Sequence, residues 1–169
     1  MKTNIDVQIA SQTSDLPSVK QLQSWARAAL SGAEGNPELT VRIVDEAESA
    51  ELNRTYRHAT GPTNVLSFPF EAPEQVQLFL LGDVVICAPV VEKEAHEQSK
   101  PIDAHWAHMV VHGTLHLLGH DHQNTSDAVK MESEERRILA GLGFPDPYAC
   151  PRQGSGIDAR SRSGTAEST

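Results

Sequence analysis

Histidines are concentrated in one stretch of the chain, from Ile102 to His122, which holds six of the eight histidines in the sequence. His112 and His116 are four residues apart, so on an α-helix they project from the same face, one turn from each other. Gly119 follows at a point where a helix that must stop can end in a left-handed residue. The chain can turn back there and deliver His122 as a third imidazole from the other side.

Three converging imidazoles predict a metal site. Zn²⁺ prefers four ligands in a tetrahedron, and three protein ligands leave the fourth position for water, which is typical of catalytic rather than structural zinc sites. We therefore predict a single Zn²⁺ per chain, bound by His112, His116 and His122, although these ligands also suit Ni²⁺, Cu²⁺ and Fe²⁺. A histidine-rich surface helix without metal is the alternative. Apolar residues cover most of the helix, however, and burying unpaired imidazoles together would be costly.

The other histidines of the stretch have weaker claims to the metal. His105 and His108 lie near the same helical face, and we expect them to pack beside the ligands or to hold them, since imidazole ligands need outer partners. His120 lies in the turn and is expected to face solvent or to stay outside the ligand set.

Two aspartates are candidates to orient a ligand histidine through a hydrogen bond without touching the metal. Asp83 follows Gly82 inside the apolar strand FLLGDVVIC, where a carboxylate must be paired or exposed at an edge. Asp121 directly precedes His122. The alternative for Asp83, and the favoured one, is a structural role in which it bonds backbone groups alone. The alternative for Asp121 is that it caps the turn.

The spacing of the histidines matches the metzincin protease pattern H-E-x-x-H-x-x-G-x-x-H except at one position. Gly113 stands where these proteases have the glutamate that acts as general base. Without that carboxylate, peptide hydrolysis loses the group that deprotonates the zinc-bound water and protonates the leaving amine. A zinc site with no adjacent base suits a leaving group that needs less help, such as a phosphodiester oxygen.

The stretch HGTLHLLGHDH also resembles the signature H-G-x-L-H-L-x-G-Y-D-H of the YbeY family of bacterial metal-dependent endoribonucleases. Two further blocks resemble that family in the same order, LNRTYRHATGPTNVLSFPF (Leu52–Phe70) and LGDVVIC (Leu81–Cys87). Two positions differ from the family: His120 replaces a tyrosine, and Ala59-Thr60 stands where a lysine–aspartate pair is common.

The resemblance implies a function and a substrate. It implies a zinc-dependent endoribonuclease specific for single-stranded RNA, which matures the 3′ end of the small-subunit ribosomal RNA and serves ribosome quality control in the bacterial cytoplasm. The implied partners are ribosomal RNA and the ribosome or its small-subunit precursor, not DNA or a membrane. It also places a functional arginine at Arg57, which we predict to be catalytic and to bind substrate, because a guanidinium matches phosphate oxygens bidentately. The alternative for Arg57 is a solvated arginine at a helix end.

Composition predicts one soluble domain over residues 1–149 and a disordered tail over 150–169, where Gly, Ser and Arg replace apolar residues. No apolar run approaches the roughly 20 residues needed to cross a bilayer. The two cysteines, Cys87 and Cys150, are expected to be free thiols of a cytosolic protein. The net charge of −9 argues against a general nucleic-acid binder and predicts weak affinity for free RNA, with dependence on a larger assembly.

The order of elements indicates an α+β fold: a mixed, mostly parallel four-stranded sheet packed with about five helices, with the metal site on a central histidine helix. The third and fourth strands are candidates for a hairpin. Asp45 and Ser126 are the expected N-caps of the second and the last helix. On the last helix Glu132, Glu134 and Glu135 alternate with arginines, which indicates a solvated face. Expected strands are Ile5–Ile9, Leu39–Val44, Asn64–Phe70 and Phe79–Cys87; expected helices are Leu16–Leu30, Asp45–Arg57, Ala88–Gln98, the histidine helix and Ser126–Leu142.

The residues alone leave two other functions open. One is a metallopeptidase of another design, with a distant carboxylate as base; cleavage of a casein-like substrate, abolished by chelation, would reveal it. The other is a non-enzymatic ribosome-assembly factor with a structural metal, which a fourth protein ligand and no bound water would reveal. A ligand set of histidines rather than cysteines argues against the second.

Overall fold

The computed structural model of the chain describes residues 4–33, 37–70, 80–120 and 124–149. Within them the chain forms a four-stranded sheet and five helices, so the predicted α+β architecture is confirmed. The strands are β1 (Asn4–Ile9), β2 (Glu38–Val44), β3 (Val65–Pro69) and β4 (Leu80–Cys87). The helices are α1 (Val19–Ala29), α2 (Glu46–Arg57), α3 (Ala88–Glu97), α4 (Ile102–Leu117) and α5 (Thr125–Gly141).

The sheet has the strand order β1-β2-β4-β3. β1, β2 and β4 run parallel, whereas β3 pairs with β4 in the antiparallel sense that a hairpin requires. Gly82 of β4 has a φ of 143°, and a Cβ at this position would overlap the carbonyl oxygen of Phe68 in β3. Only glycine therefore allows these two strands to approach as they do.

The two faces of the sheet carry separate hydrophobic clusters. Val84 and Ile86 of β4 belong to the larger cluster, which includes the apolar residues of α1 and α4. Val85 belongs to a smaller cluster, in which Leu66 of β3 and Leu52 of α2 take part. Because side chains alternate along a strand, α4 and α2 lie on opposite faces of the sheet.

The histidine helix α4 is the central helix of the fold, as predicted. It contacts α1, α3 and α5 as well as β3 and β4. Apolar residues on most of its circumference explain this position, because a helix that is hydrophobic all round must be covered on every side. Its fully buried residues include Trp106, Val110 and Leu115.

Two predicted helix caps differ from the structure. α5 begins at Thr125, two residues earlier than a cap at Ser126 predicts, because the Asn124 side chain accepts a hydrogen bond from the Asp127 amide at 2.9 Å. The prediction that Ser126 caps the helix was wrong. Asp45 does precede α2, but its side chain does not cap that helix. It accepts instead from Ser11 and from the Gln12 amide, so it ties the segment after β1 to the end of β2.

None of the described helices is long and apolar enough to cross a membrane. Cys87 is buried and free. Cys150 and the tail predicted over 150–169 lie outside the described residues, so the domain boundary at 149 stays a prediction.

Candidate metal centre

The site begins with the close packing of α4 on the sheet. A Cβ on Gly113 would lie 2.5 Å from Cγ1 of Val84 and 3.1 Å from Cγ2 of Val65. The Ser67 hydroxyl of β3 donates a hydrogen bond to the carbonyl oxygen of Gly113 at 2.9 Å. The helix is thus fixed against β3 and β4 at the residue next to His112, and a side chain at position 113 has no room.

Four histidines of α4 form a row along one side of the helix. Consecutive ring centroids, from His105 to His108, His112 and His116, are 6.2, 6.1 and 4.8 Å apart. His105 and His108 are buried, whereas His112 and His116 are partly exposed. The two rings that were predicted to bind metal are therefore the closest pair of the row and the pair that solvent reaches.

The buried end of the row is held by a carboxylate from α3. The His105 ring bonds to Glu94 through Nε2 at 2.9 Å, and the amide of Asn64 donates to the same carboxylate at 3.1 Å. Burial lowers the pKa of His105, which Glu94 only partly offsets. His105 is therefore a neutral packing residue that joins α3, α4 and the start of β3.

The exposed end of the row depends on Glu135 of α5, whose side chain is fully buried. One oxygen, Oε2, lies 2.5 Å from Nδ1 of His112. The other, Oε1, lies 3.1 Å from Nε2 of His108 and also accepts from the Tyr148 hydroxyl. Both nitrogens must carry hydrogen to donate to a carboxylate, so this geometry places the His112 proton on Nδ1.

The charge of Glu135 follows from these partners. Burial acts to raise the pKa of this carboxyl, but hydrogen bonds from His108 and His112 outweigh it and lower the pKa to about 2. Burial, together with the adjacent carboxylate, raises the pKa of Tyr148. The centre therefore contains a buried carboxylate whose two oxygens accept from three donors.

Residue types that bind metals meet here. His108, His112 and Glu135 offer one ligand atom each within 4.8 Å of one another, and the three could hold a metal ion. Gly119 has a φ of 104°, and its amide and that of His120 bond back to the last turn of α4 at 3.0 Å. The predicted glycine stop is thus present. His122 and Asp121, the third predicted ligand and one predicted orienting residue, lie outside the described residues.

Two predicted site residues stand away from the histidine row. Arg57 is the exposed last residue of α2, on the other face of the sheet from α4. Asp83 is exposed and pairs with Phe68 across the hairpin. Its neighbour Val84 is the residue that meets Gly113, so the Asp83 side chain points away from α4. That position does not support the orienting role.

Glu135 was the residue that sequence reasoning missed, since a solvated face was predicted for it and for Glu132 and Glu134. A usable signal existed in the helical spacing, because Met131, Glu135, Ile138 and Leu139 form one buried stripe of α5. A carboxylate inside an apolar stripe needs a partner. The run of charged letters around it, ESEERR, hid that position.

Comparisons with known proteins agree with this architecture. A family model described as "Endoribonuclease YbeY" matches residues 6–143. The solution structure of the protein TM1509 from Thermotoga maritima superposes with a TM-score of 0.53 at 24% sequence identity, over 85% of this chain and 99% of that chain. At this identity the structural likeness concerns the fold alone.

Proposed function

The chain belongs to the YbeY family of endoribonucleases, and from that premise we propose that it is a zinc-dependent enzyme that cuts single-stranded RNA within the chain. Membership of the family supports an endoribonuclease that acts in ribosomal RNA processing. The finer proposal is that it matures the 3′ end of the small-subunit ribosomal RNA and serves ribosome quality control in the cytoplasm. Its partners would be ribosomal RNA and the ribosome or its small-subunit precursor.

The proposed ligands are His112, His116 and His122. The observation that carries this choice is a contact of His112: its Nδ1 bonds to Glu135, so in the neutral imidazole Nε2 is the nitrogen that can bind a metal. The adjacent His116 ring, with its centroid at 4.8 Å, offers a second imidazole on the partly exposed side. When bound, Zn²⁺ would supply a water of lowered pKa and polarise a phosphoryl oxygen.

The cluster of His108, His112 and Glu135 is a less suitable inner ligand set. Two ligand atoms at zinc bond lengths of about 2.0–2.2 Å in a tetrahedron are separated by roughly 3.4 Å. Nδ1 of His112 and Oε2 of Glu135 are only 2.5 Å apart, which is a short hydrogen-bond distance. The carboxylate therefore suits a partner of a ligand better than a ligand.

Arg57 is proposed to bind the phosphate of the RNA and to stabilise the charge that develops on it during cleavage. Because α2 and α4 lie on opposite faces of the sheet, the RNA strand would have to pass the edge strand β3 to reach both Arg57 and the metal. Its guanidinium is exposed at the end of α2, and the neighbouring Tyr56 side chain is 63% exposed. A tyrosine face beside an arginine suits a flexible single strand, whose bases can stack on it. A duplex keeps its bases inside and gains nothing from such a surface.

The peptidase alternative has less support. A glutamate beside the first ligand would serve as base, yet position 113 faces Val84 and Val65 with no space for a side chain. A distant carboxylate would have to replace it, and Glu135 is occupied by three donors. The assembly-factor alternative requires a fourth protein ligand, which the proposed three-histidine set does not include.

The test is cleavage of matched single-stranded and duplex RNA by purified protein, as isolated, after chelation, and after return of zinc. His116→Ala is the informative variant, and His96→Ala, on the exposed side of α3, is its control. We expect cutting of the single strand that is lost on chelation and in His116→Ala, and kept in His96→Ala. Equal activity of the chelated protein, or of His116→Ala, would contradict the metal-dependent mechanism. Absence of cutting by zinc-loaded protein, on free RNA and on small-subunit precursors alike, would favour the assembly factor.

A further inference from the structure

Glu135 stands at the junction between the proposed ligand His112 and the C-terminal segment of the described chain. Its carboxylate accepts from His112 on one oxygen, and from His108 and Tyr148 on the other. Two of these donors come from α4, and the third lies beyond the end of α5. A buried carboxylate with three donors is fixed in both position and orientation.

We infer that Glu135 is the positioning residue of the metal centre, and that Tyr148 and His108 hold it so that the His112 proton stays on Nδ1. This inference rests on the proposed function, because it takes Nε2 of His112 as a metal ligand. A carboxylate on the far nitrogen of a ligand imidazole fixes the tautomer and the ring orientation and raises the basicity of the ligand atom.

The tyrosine is placed by its own set of contacts, which form a clasp over residues 145–149. The Tyr148 amide donates to Oδ1 of Asp146 at 2.8 Å, and Nε of Arg136 donates to both oxygens of that carboxylate at 3.1 Å. The Arg136 guanidinium lies over the Tyr148 ring, 5.3 Å from its centroid. Arg136 and Glu135 are adjacent residues of α5. Arg136 therefore holds the clasp, and Glu135 accepts the hydrogen bond from the Tyr148 hydroxyl.

A second anchor ties the clasp to the start of α4. Nζ of Lys100 donates to the carbonyl oxygen of Pro147 at 3.0 Å. The Tyr148 ring also packs edge-on against His108, with a centroid distance of 5.3 Å. The clasp therefore lies beside the buried part of the histidine row and delivers one hydroxyl to Glu135.

The arrangement needs a carboxylate and not merely an acceptor. Glutamine in place of Glu135 would offer one oxygen and one NH₂ group to donors on both sides. If its oxygen faced His108 and Tyr148, its NH₂ would face His112 and require a bare Nδ1. The His112 proton would then move to Nε2, the atom proposed to bind the metal.

The experiment compares wild type with Glu135→Gln and Tyr148→Phe, and uses Glu134→Gln as control, since Glu134 is a neighbouring carboxylate of α5 in an exposed ion pair with Arg137. Zinc affinity is measured by competition with a chromophoric chelator. The protonated nitrogen of His112 is assigned by NMR of the ¹⁵N-labelled apo proteins. Circular dichroism verifies that each variant is folded.

For Glu135→Gln we expect ~10- to 100-fold weaker zinc binding, the range typical of lost outer partners, and a His112 proton on Nε2. For Tyr148→Phe we expect a measurable loss of zinc affinity, up to ~10-fold, with the proton still on Nδ1, because the carboxylate remains but is held less firmly. Glu134→Gln should match wild type in both measurements.

The inference is overturned if Glu135→Gln keeps the wild-type tautomer and zinc affinity, or, should that variant not fold, if Tyr148→Phe binds zinc as wild type does. The variant His116→Ala tests whether Glu135 positions a ligand or is itself a ligand. If Glu135 were itself a ligand beside His108 and His112, then His116→Ala would still bind zinc. If wild type bound no zinc, the proposed function would fail, and the His112 tautomer of the apo proteins would still decide the role of Glu135.

Discussion

The four histidines of α4 carry the same side chain and differ in what surrounds them. His105 and His108 are buried against Glu94 and Glu135, whereas His112 and His116 reach solvent. In a neutral imidazole one ring nitrogen donates, here to a carboxylate, and the other keeps a lone pair. The surroundings of this second nitrogen decide whether it contacts protein atoms or can bind a metal ion. Changes of single residues, at His105 and at Arg57, test these roles.

The first concerns the pH dependence of stability. Burial lowers the pKa of His105 in the folded chain, so below about pH 6.5 the unfolded chain binds a proton that the folded chain does not. That contribution to stability is present above the unfolded pKa and is lost as pH falls through the folded pKa. His105→Gln keeps an amide donor for Glu94 and cannot titrate. Urea unfolding from pH 7 to 5 should show a shallower loss of stability in His105→Gln than in wild type.

The control for this measurement is His96→Gln, because His96 is exposed on α3. It should follow the wild-type pH profile. Parallel profiles for His105→Gln and wild type would mean that folding leaves the pKa of His105 unchanged, and would contradict its lowering by burial.

The second concerns Arg57. Arg57→Ala should reduce kcat on single-stranded RNA by roughly 100-fold or more, as expected for loss of a group that stabilises transition-state charge. Arg57→Lys should recover only part of the loss, because an ammonium lacks the bidentate fork. Arg54→Ala is the control, since Arg54 lies on the same helix and pairs with Glu51. Similar values of kcat for wild type and Arg57→Ala would show that Arg57 does not take part in the reaction.

At the scale of elements, the contact of α4 with β3 and β4 sets the depth at which the histidines lie. Gly113 permits that contact, because a Cβ there would meet Val84 at 2.5 Å. Gly113→Ala should destabilise the fold by about 1–3 kcal/mol, the usual cost of overpacking, as measured by urea unfolding. Gly141→Ala, at the open end of α5 with nothing within 4 Å of its added Cβ, should be neutral or slightly stabilising. Equal stabilities of wild type and Gly113→Ala would show that Val84 and Val65 can shift to make room for the added methyl group.

The elements also show how far local patterns reach. Alternation in β1 and the glycine beyond α4 were readable because each depends on residues close together in sequence. The cap of α5 was misassigned by two residues, since Asn124, Thr125 and Ser126 all suit that position. Glu135 could not be assigned to His112 by any local rule, because 23 positions separate them and only the packing of α5 on α4 joins them.

At the scale of the whole molecule, the chain has 14 lysines and arginines and 23 aspartates and glutamates, and is therefore acidic. RNA binding depends on cations that replace counterions along the phosphates, and each contact on a single strand adds about 0.7 to the salt slope. With Arg57 and few other contacts, the slope of log K against log salt should be no steeper than about −2. Filter binding between 50 and 200 mM salt measures it, and a steeper slope would reveal a basic surface that the net charge conceals.

The same charge balance predicts where activity is found. Cleavage of a small-subunit precursor should exceed cleavage of the same RNA free in solution, because contacts with ribosomal protein can supply the affinity that the acidic chain lacks. Turnover of both substrates at one concentration tests this. Equal rates would mean that the chain recognises its RNA without help.

The close approach at Gly113 has a consequence for how catalytic families diverge. The metzincin pattern and this chain differ by one letter between two histidines, so a single mutation would seem enough to exchange one chemistry for the other. In this fold, packing prevents that exchange, because the side chain of a glutamate at position 113 would clash with Val84 and Val65. Passage between the two patterns would require α4 to lift from the sheet, which would displace the histidines themselves. The packing around Gly113 is thus incompatible with the peptidase glutamate at that position.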